Sequence, residues 1–245
     1  MKTTTLLSIL TVILVSGSFT VATALPVGNS NIEREYLTGV DDLSTWSCGL
    51  RYTKRSRDIV SRGNKLSFES NRPYLYIGYQ LTHWYSAYGF IGSSETSAGA
   101  YPSSDGGADF GGGFTVNLLD TGIPSRLLLE DRLRITTSIQ YASRSADWAA
   151  ANANWFEISG SLLFHLVNDV EGNKLFHPDS IAIYVGPIFE ELHGVNASGI
   201  NRFNEDSVFG LAAGLEIFLS DIVSVDFGVE SFGSTGFNGG INIRF

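Results

Sequence analysis

Four histidines, His83, His165, His177 and His193, are the residues of this chain best suited to moving protons near neutral pH. A hydrolase or acyltransferase would set one of them beside a hydroxyl nucleophile and an acid. His193 comes nearest, because Glu190 and Glu191 precede it in "FEELHG". That stretch could form a base or a weak metal site, but it supplies one histidine and two acids with no nucleophile in fixed spacing. His165 follows the apolar run Leu162, Leu163 and Phe164, while His83 and His177 fall in connections. No catalytic residue, metal ligand or cofactor site is therefore assigned, and the expectation is that the chain is not an enzyme.

Two sets of charges remain. "RYTKRSRDIVSRGNK" gathers Arg51, Lys54, Arg55, Arg57, Arg62 and Lys65 around one acid, Asp58. Guanidinium forks match phosphate oxygens. If 56–66 form a loop, Arg55, Arg57, Arg62 and Lys65 would contact a phosphate-rich surface; the plainer alternative is a solvated loop. The second set is dispersed: Arg51, Arg132, Arg134, Glu157, Glu216, Asp226, Glu230 and Arg244. Each occupies the polar phase of a segment in which every second residue is apolar.

That alternation runs through most of the chain. "VSVDFGVE" sets Val223, Val225, Phe227 and Val229 against Ser224, Asp226, Gly228 and Glu230. "WFEISGSLLFHL" sets Phe156, Ile158, Leu162, Phe164 and Leu166 against Glu157, Ser159, Ser161 and His165. Period two predicts strands, roughly at 46–55, 67–82, 85–95, 108–118, 131–145, 154–168, 180–192, 205–219, 222–233 and 237–245. Pro187 cannot donate to a ladder, so a bulge or a strand end is expected there. A three-residue turn at 234–236 would set Asp226 directly opposite Arg244.

The amino terminus indicates the compartment. Lys2 precedes the apolar run "LLSILTVILV", and Ala22 and Ala24 supply small residues before a cleavage point. This is the pattern of a secretory signal peptide over 1–24. Residues 25–43 have no period and read as a flexible lead-in; 44–245 form one all-β domain. Cys48 is the sole cysteine, so no internal disulfide can form. A net charge of −9 argues against a general nucleic-acid binder.

Alternation does not say which face is buried. The soluble alternative, a lipocalin-like binder, turns its apolar face inward; a transmembrane barrel turns it to lipid. The polar phase here is rich in glycine, serine, asparagine and charge, which suits a narrow lumen. Phe237 and Phe245 share a face eight residues apart, as do Phe156 and Phe164. Eight steps rise about 20 Å at a tilt near 40°, close to the height of an outer-membrane apolar band.

The chain ends in "FNGGINIRF", an alternating segment closing on phenylalanine. It resembles the C-terminal strand of Gram-negative outer-membrane β-barrels, and in size and signal peptide the chain is similar to the small OmpA/OmpX-like or opacity-like barrels. The resemblance implies a transmembrane antiparallel up-and-down β-barrel of about ten strands, with eight or twelve still open. It implies that Phe237, Ile241, Ile243 and Phe245 form the signal read by the outer-membrane assembly machinery. It also implies outer-membrane lipid and lipopolysaccharide as partners, the latter through Arg55, Arg57, Arg62 and Lys65. The expected role is structural or surface-interacting, with an unidentified extracellular ligand and a lumen plugged by polar and charged side chains. A small pore-forming channel is the alternative, and an outer-membrane hydrolase or acyltransferase the more distant one.

Overall fold

A ring of ten strands, each antiparallel to its neighbours, closes on itself in the computed structural model. The structure describes residues 45–61, 63–82, 84–99, 103–123, 131–148, 151–169, 180–196, 202–220 and 222–245. The expected signal peptide (1–24) and lead-in (25–43) lie outside the described residues, as do Arg62, His83 and His177. The strands are β1 (Thr45–Ser61), β2 (Asn64–Thr82), β3 (Tyr85–Ser93), β4 (Glu95–Ala98), β5 (Ala108–Ile123) and β6 (Asp131–Trp148). There follow β7 (Ala151–Asp169), β8 (Ser180–Asn196), β9 (Arg202–Glu205), β10 (Phe209–Phe218), β11 (Val223–Ser231) and β12 (Thr235–Arg244). Each consecutive pair of long strands is hydrogen-bonded, and β12 pairs with β1 from Ser47↔Arg244 to Arg55↔Gly236. Closure leaves the ten-strand ring with no free edge among the described residues, the condition for a sheet to stand in hydrocarbon. Among the described residues no helix is long and apolar enough to cross a membrane.

The polarity is inverted relative to a soluble barrel. Leu75 and Phe237 are 59% and 57% exposed on the outer face, whereas Arg51 and Arg57 are each 1% exposed inside. The apolar coat is a belt: Trp46 to Tyr52 on β1, Leu75 to Leu81 on β2, Phe156 to Leu166 on β7 and Phe237 to Phe245 on β12. Both chain ends lie at one rim, the terminal rim, where the main chains of Trp46 and Phe245 exchange two hydrogen bonds.

At the opposite, distal rim the strands differ in height. The β11–β12 hairpin turns at Phe232–Ser234, with Gly233 at φ +91°, the left-handed region that glycine adopts without strain. β1, β2, β6, β7 and β8 continue beyond it. There β9 pairs with β8 on one side, through His193↔Asn204 and Gly194↔Phe203, and with β1 on the other, through Ile59↔Glu205 and Ser61↔Phe203. The short β4 and residues 104–107 fill the gap between β2 and β6. The distal wall thus runs β1, β2, β4, 104–107, β6, β7, β8, β9 and back to β1: eight members against ten.

In this extension the faces exchange character. Lys54, Asp58, Ser67, Glu69, Asn152, Asn154 and Glu191 face outward. Inside, Ile59, Phe68, Ala146, Ala153, Trp155, Leu192 and Phe203 form an apolar core, with Phe68 edge-on to Trp155 at 5.7 Å between ring centroids. The extension thus has the arrangement that water imposes.

Several expectations are corrected. β1 extends to Ser61 rather than ending at residue 55, and the strand expected at 205–219 is broken into β9 and β10. β8 runs through Pro187 with one register to β7 on either side of it, so there is no bulge. Pro187 faces outward, and only the β7 pairing opposite Gly186 and Pro187 is missing. Bulges occur instead at Gln80/Thr82 and Asn117/Leu119. The final turn lies earlier than 234–236, which sets Asp226 opposite Gly240 and not Arg244.

Candidate functional site

The inward face of the belt carries three layers. Nearest the distal core is an ionic layer built on two glutamates, Glu157 of β7 and Glu190 of β8. Glu157 accepts from Arg72 at 2.9 and 3.1 Å, from Arg55 at 3.4 Å and from the Trp155 indole at 2.9 Å, and it is ion-paired with Arg144. Glu190 accepts from Arg55 at 2.5 and 2.6 Å and from Arg57 at 2.5 Å. Arg144 also donates to Asp109 at 2.9 Å, and Arg55 reaches Glu230 at 2.7 Å. The Phe232 ring closes this layer from the short hairpin, 5.1 Å from the Arg57 guanidinium carbon and 6.0 Å from that of Arg55. Both distances suit a cation–π contact.

Below it lies a layer of phenols, Tyr74, Tyr76, Tyr88 and Tyr184, together with the buried pair Arg51–Asp226. Tyr184 enters the lumen because Gly214 and Gly228 face it; a Cβ on either would collide with its hydroxyl. Tyr88 donates to Gln140 at 3.0 Å and Tyr76 to Asn242 at 2.6 Å.

The third layer is at the terminal rim. Asp120 accepts from Arg132 at 2.5 Å and from Arg134 at 2.7 and 2.9 Å. Ser224 donates to Glu216 at 3.1 Å, Arg244 donates to Gln80 at 2.7 Å, and His165 Nε2 is 2.9 Å from the Thr136 hydroxyl.

Charge decides what the upper two layers can do. Arg51, Arg55, Arg57, Arg72 and Arg144 meet Asp109, Glu157, Glu190, Asp226 and Glu230, so five positive charges cancel five negative ones. Each of these ten side chains is no more than 5% exposed. Buried ions persist only when paired and hydrogen-bonded, and removing one partner strands the other. The arrangement is a brace across the bore.

The eight charged residues singled out in the sequence, Arg51, Arg132, Arg134, Glu157, Glu216, Asp226, Glu230 and Arg244, all lie on the inner face, in different layers. Sequence reasoning missed Arg72, Arg144, Asp109 and Glu190. Their signal was parity: Arg72 shares the phase of Tyr74 and Tyr76, and Arg144 that of Arg132 and Arg134. The lipopolysaccharide assignment of Arg55 and Arg57 is overturned. They point into the bore, 3% and 1% exposed, because β1 continues as a strand where a loop was expected. Lys65 is exposed and bonded to Asp206 at 2.5 Å, which raises its pKa above the usual lysine value. Phe237, Ile241, Ile243 and Phe245 all face outward on the closing segment.

His193 stands on the outer wall beyond the belt. Its Nδ1 lies 3.2 Å from Asn204 Oδ1 and its Nε2 2.8 Å from Glu191 Oε1. Its pKa is raised, first by the Asn204 hydrogen bond and then by Glu191, since two acceptors favour the doubly protonated ring. The hydroxyl in its row is Ser143, which pairs with Phe156, which in turn pairs with His193. Two strand spacings, roughly 9–10 Å, and an aromatic ring separate base from hydroxyl. Among the described residues no group of three or more histidine, cysteine, aspartate or glutamate side chains could hold a metal ion. Cys48 is a free thiol on the outward face.

No family model matches the chain, and no curated protein matches it. The chain is similar to several solved structures. They include the translocator domain of the autotransporter NalP from Neisseria meningitidis, 12% identical, covering 86% of this chain and 91% of that one with a TM-score of 0.38. An outer membrane channel from Pseudomonas putida F1 is 10% identical, with 84% and 97% covered and a TM-score of 0.37. The transport unit of the autotransporter AIDA-I from Escherichia coli is 10% identical, with 89% and 98% covered and a TM-score of 0.35. Likeness at this level transfers no function.

Proposed function

We propose that this chain is an integral outer-membrane β-barrel whose bore is closed, acting as a rigid wall that presents its distal extension outside the lipid. The observation that carries the reading is the charge-balanced set of five arginines and five carboxylates in two layers across the lumen, roofed by the apolar core of Ile59, Phe68, Trp155, Leu192 and Phe203. An ion entering from the terminal rim would have to part these pairs and then cross hydrocarbon side chains. The apolar belt and the signal-like amino terminus support placement in the outer membrane, with lipid as the first partner. On this reading β12 pairs with β1 last and Phe237, Ile241, Ile243 and Phe245 engage the assembly machinery. Specificity for an extracellular ligand belongs to the distal loops, where a stable wall lets sequence vary.

Planar-bilayer recording of the refolded mature chain tests closure. Flat traces at noise level are expected, and a variant carrying Glu157→Ala, Glu190→Ala and Leu192→Ala should show openings. Stable conductance steps from the unmodified chain would overturn the closed reading in favour of a pore. Heat-modifiable migration on a detergent gel tests the barrel in the same preparation.

A further inference from the structure

The outer wall holds a cleft of about 680 Å³ where the belt gives way to the distal extension, bordered by Tyr141, Ser143, Asn154, Phe156, His193 and Asn204. Its lower half is aromatic: the Tyr141 and Phe156 rings stack at 6.2 Å and 24°, and the Phe156 ring lies 5.2 Å from that of His193. Beside the rings it offers a serine hydroxyl, two amides and the imidazole, which Glu191 and Asn204 hold in place. From this geometry we propose that the cleft binds the neutral saccharide ring of a glycolipid residing in the same leaflet.

Three observations select this occupant. The first is depth. The cleft lies where the outward face passes from apolar to polar, which the membrane reading sets at the level of the lipid head groups, so an occupant with an acyl tail keeps that tail along the belt while its head enters. The second is charge. Glu191 and Glu205 both lie near His193, and among the described side chains no arginine or lysine borders the cleft, which disfavours a phosphate there. The third is chemistry. The C–H face of a sugar ring carries the weak positive edge that an aromatic face attracts, while amides and a hydroxyl match its hydroxyl groups. Arg55 and Arg57, two of the residues expected to bind phosphate, are engaged inside the bore.

The inference rests on the membrane reading above, and the experiment separates the two. The barrel is inserted into phosphatidylethanolamine nanodiscs with or without truncated-core lipopolysaccharide, and insertion is scored by heat-modifiable migration. Co-purifying lipid is then counted by native mass spectrometry. One retained glycolipid is expected. Phe156→Ala and, separately, Asn154→Leu should lower its retention about tenfold, the scale of one lost aromatic or polar contact. Phe227→Ala, an equal aromatic loss on the outward face of β11, away from the cleft, should leave retention unchanged. Undiminished retention in both cleft variants, or equal retention of phosphatidylethanolamine, overturns the proposal. Equal binding of the free phosphate-less core oligosaccharide overturns the glycolipid as its source. A chain that does not insert would refute the membrane reading instead.

Discussion

The belt and the distal extension are built from the same strands and obey opposite rules. On β1, Leu50 and Tyr52 face outward while Arg51, Arg55 and Arg57 face the bore; a few residues on, Asp58 faces outward and Ile59 inward. Strand β7 repeats the exchange, with Phe156 outside and Glu157 inside, then Asn154 outside and Trp155 inside. The backbone is continuous through the change, so hydrogen bonding does not set it. The solvent does. On the proposed membrane reading, lipid surrounds the belt, so polar groups gather inward and must neutralise one another; where water surrounds the wall, apolar groups gather inward instead.

The largest test of this contrast is the brace. Glu157→Ala should destabilise the folded barrel by about 4 kcal/mol, because Arg72, Arg144 and Arg55 lose a shared partner in a buried site. The loss is read from the urea midpoint of unfolding out of vesicles, and a cost below about 1 kcal/mol would show that the layer is not sealed from water.

Next comes the coat. Ile77→Arg, midway down the β2 belt, should cost about 3 kcal/mol, whereas Glu69→Arg on the same face above the belt should stay within about 0.5 kcal/mol. Equal costs would erase the boundary between the two regions. A gentler probe is Ile59→Val in the distal core, expected to cost about 1 kcal/mol. Hydrogen exchange should speed up in β9 and the upper part of β8, with the belt unaffected.

These tests bear on what could be read in the residues beforehand. The ten-strand ring and its outward apolar face were legible because, in the belt, each residue contrasts with the next. Leu75 beside Tyr76, or Val225 beside Asp226, leaves little choice of phase. The run Thr53, Lys54, Arg55, Ser56, Arg57, Asp58 offers no such contrast, since both faces are polar where the rules exchange. From residue 56 on it therefore reads as loop, and two brace arginines were assigned to a surface. The distal core was hidden for a related reason. Ile59, Trp155 and Leu192 sit in the phase that carries charge lower down, so a single inside-or-outside assignment for the whole strand misplaces them. The Arg51–Asp226 pair could not be found from β11 and β12 alone, because its partner lies across the β12–β1 seam, at the far end of the sequence.

The smallest expected effect concerns pH. The folded-state pKa of His193 is raised, so its contribution is complete below the unfolded value and fades as pH climbs through the folded one. Both His193 and Glu191 are well exposed, so solvent screening keeps the gain small. Glu191→Gln should lower the His193 titration midpoint measured by NMR; an unchanged midpoint would assign the shift to Asn204 alone.

The exchange of faces also works as a depth gauge. Sinking the barrel by a single pleat, about 5 Å along the membrane normal, would submerge Lys54, Asn71, Asn154 and Glu191 together, on four different staves. Raising it by the same step would strip acyl chains from the Trp46, Leu81 and Phe245 collar all at once. A cylinder clad this way has one resting height, and any partner that docks on its upper rim meets it at a fixed distance from the lipid.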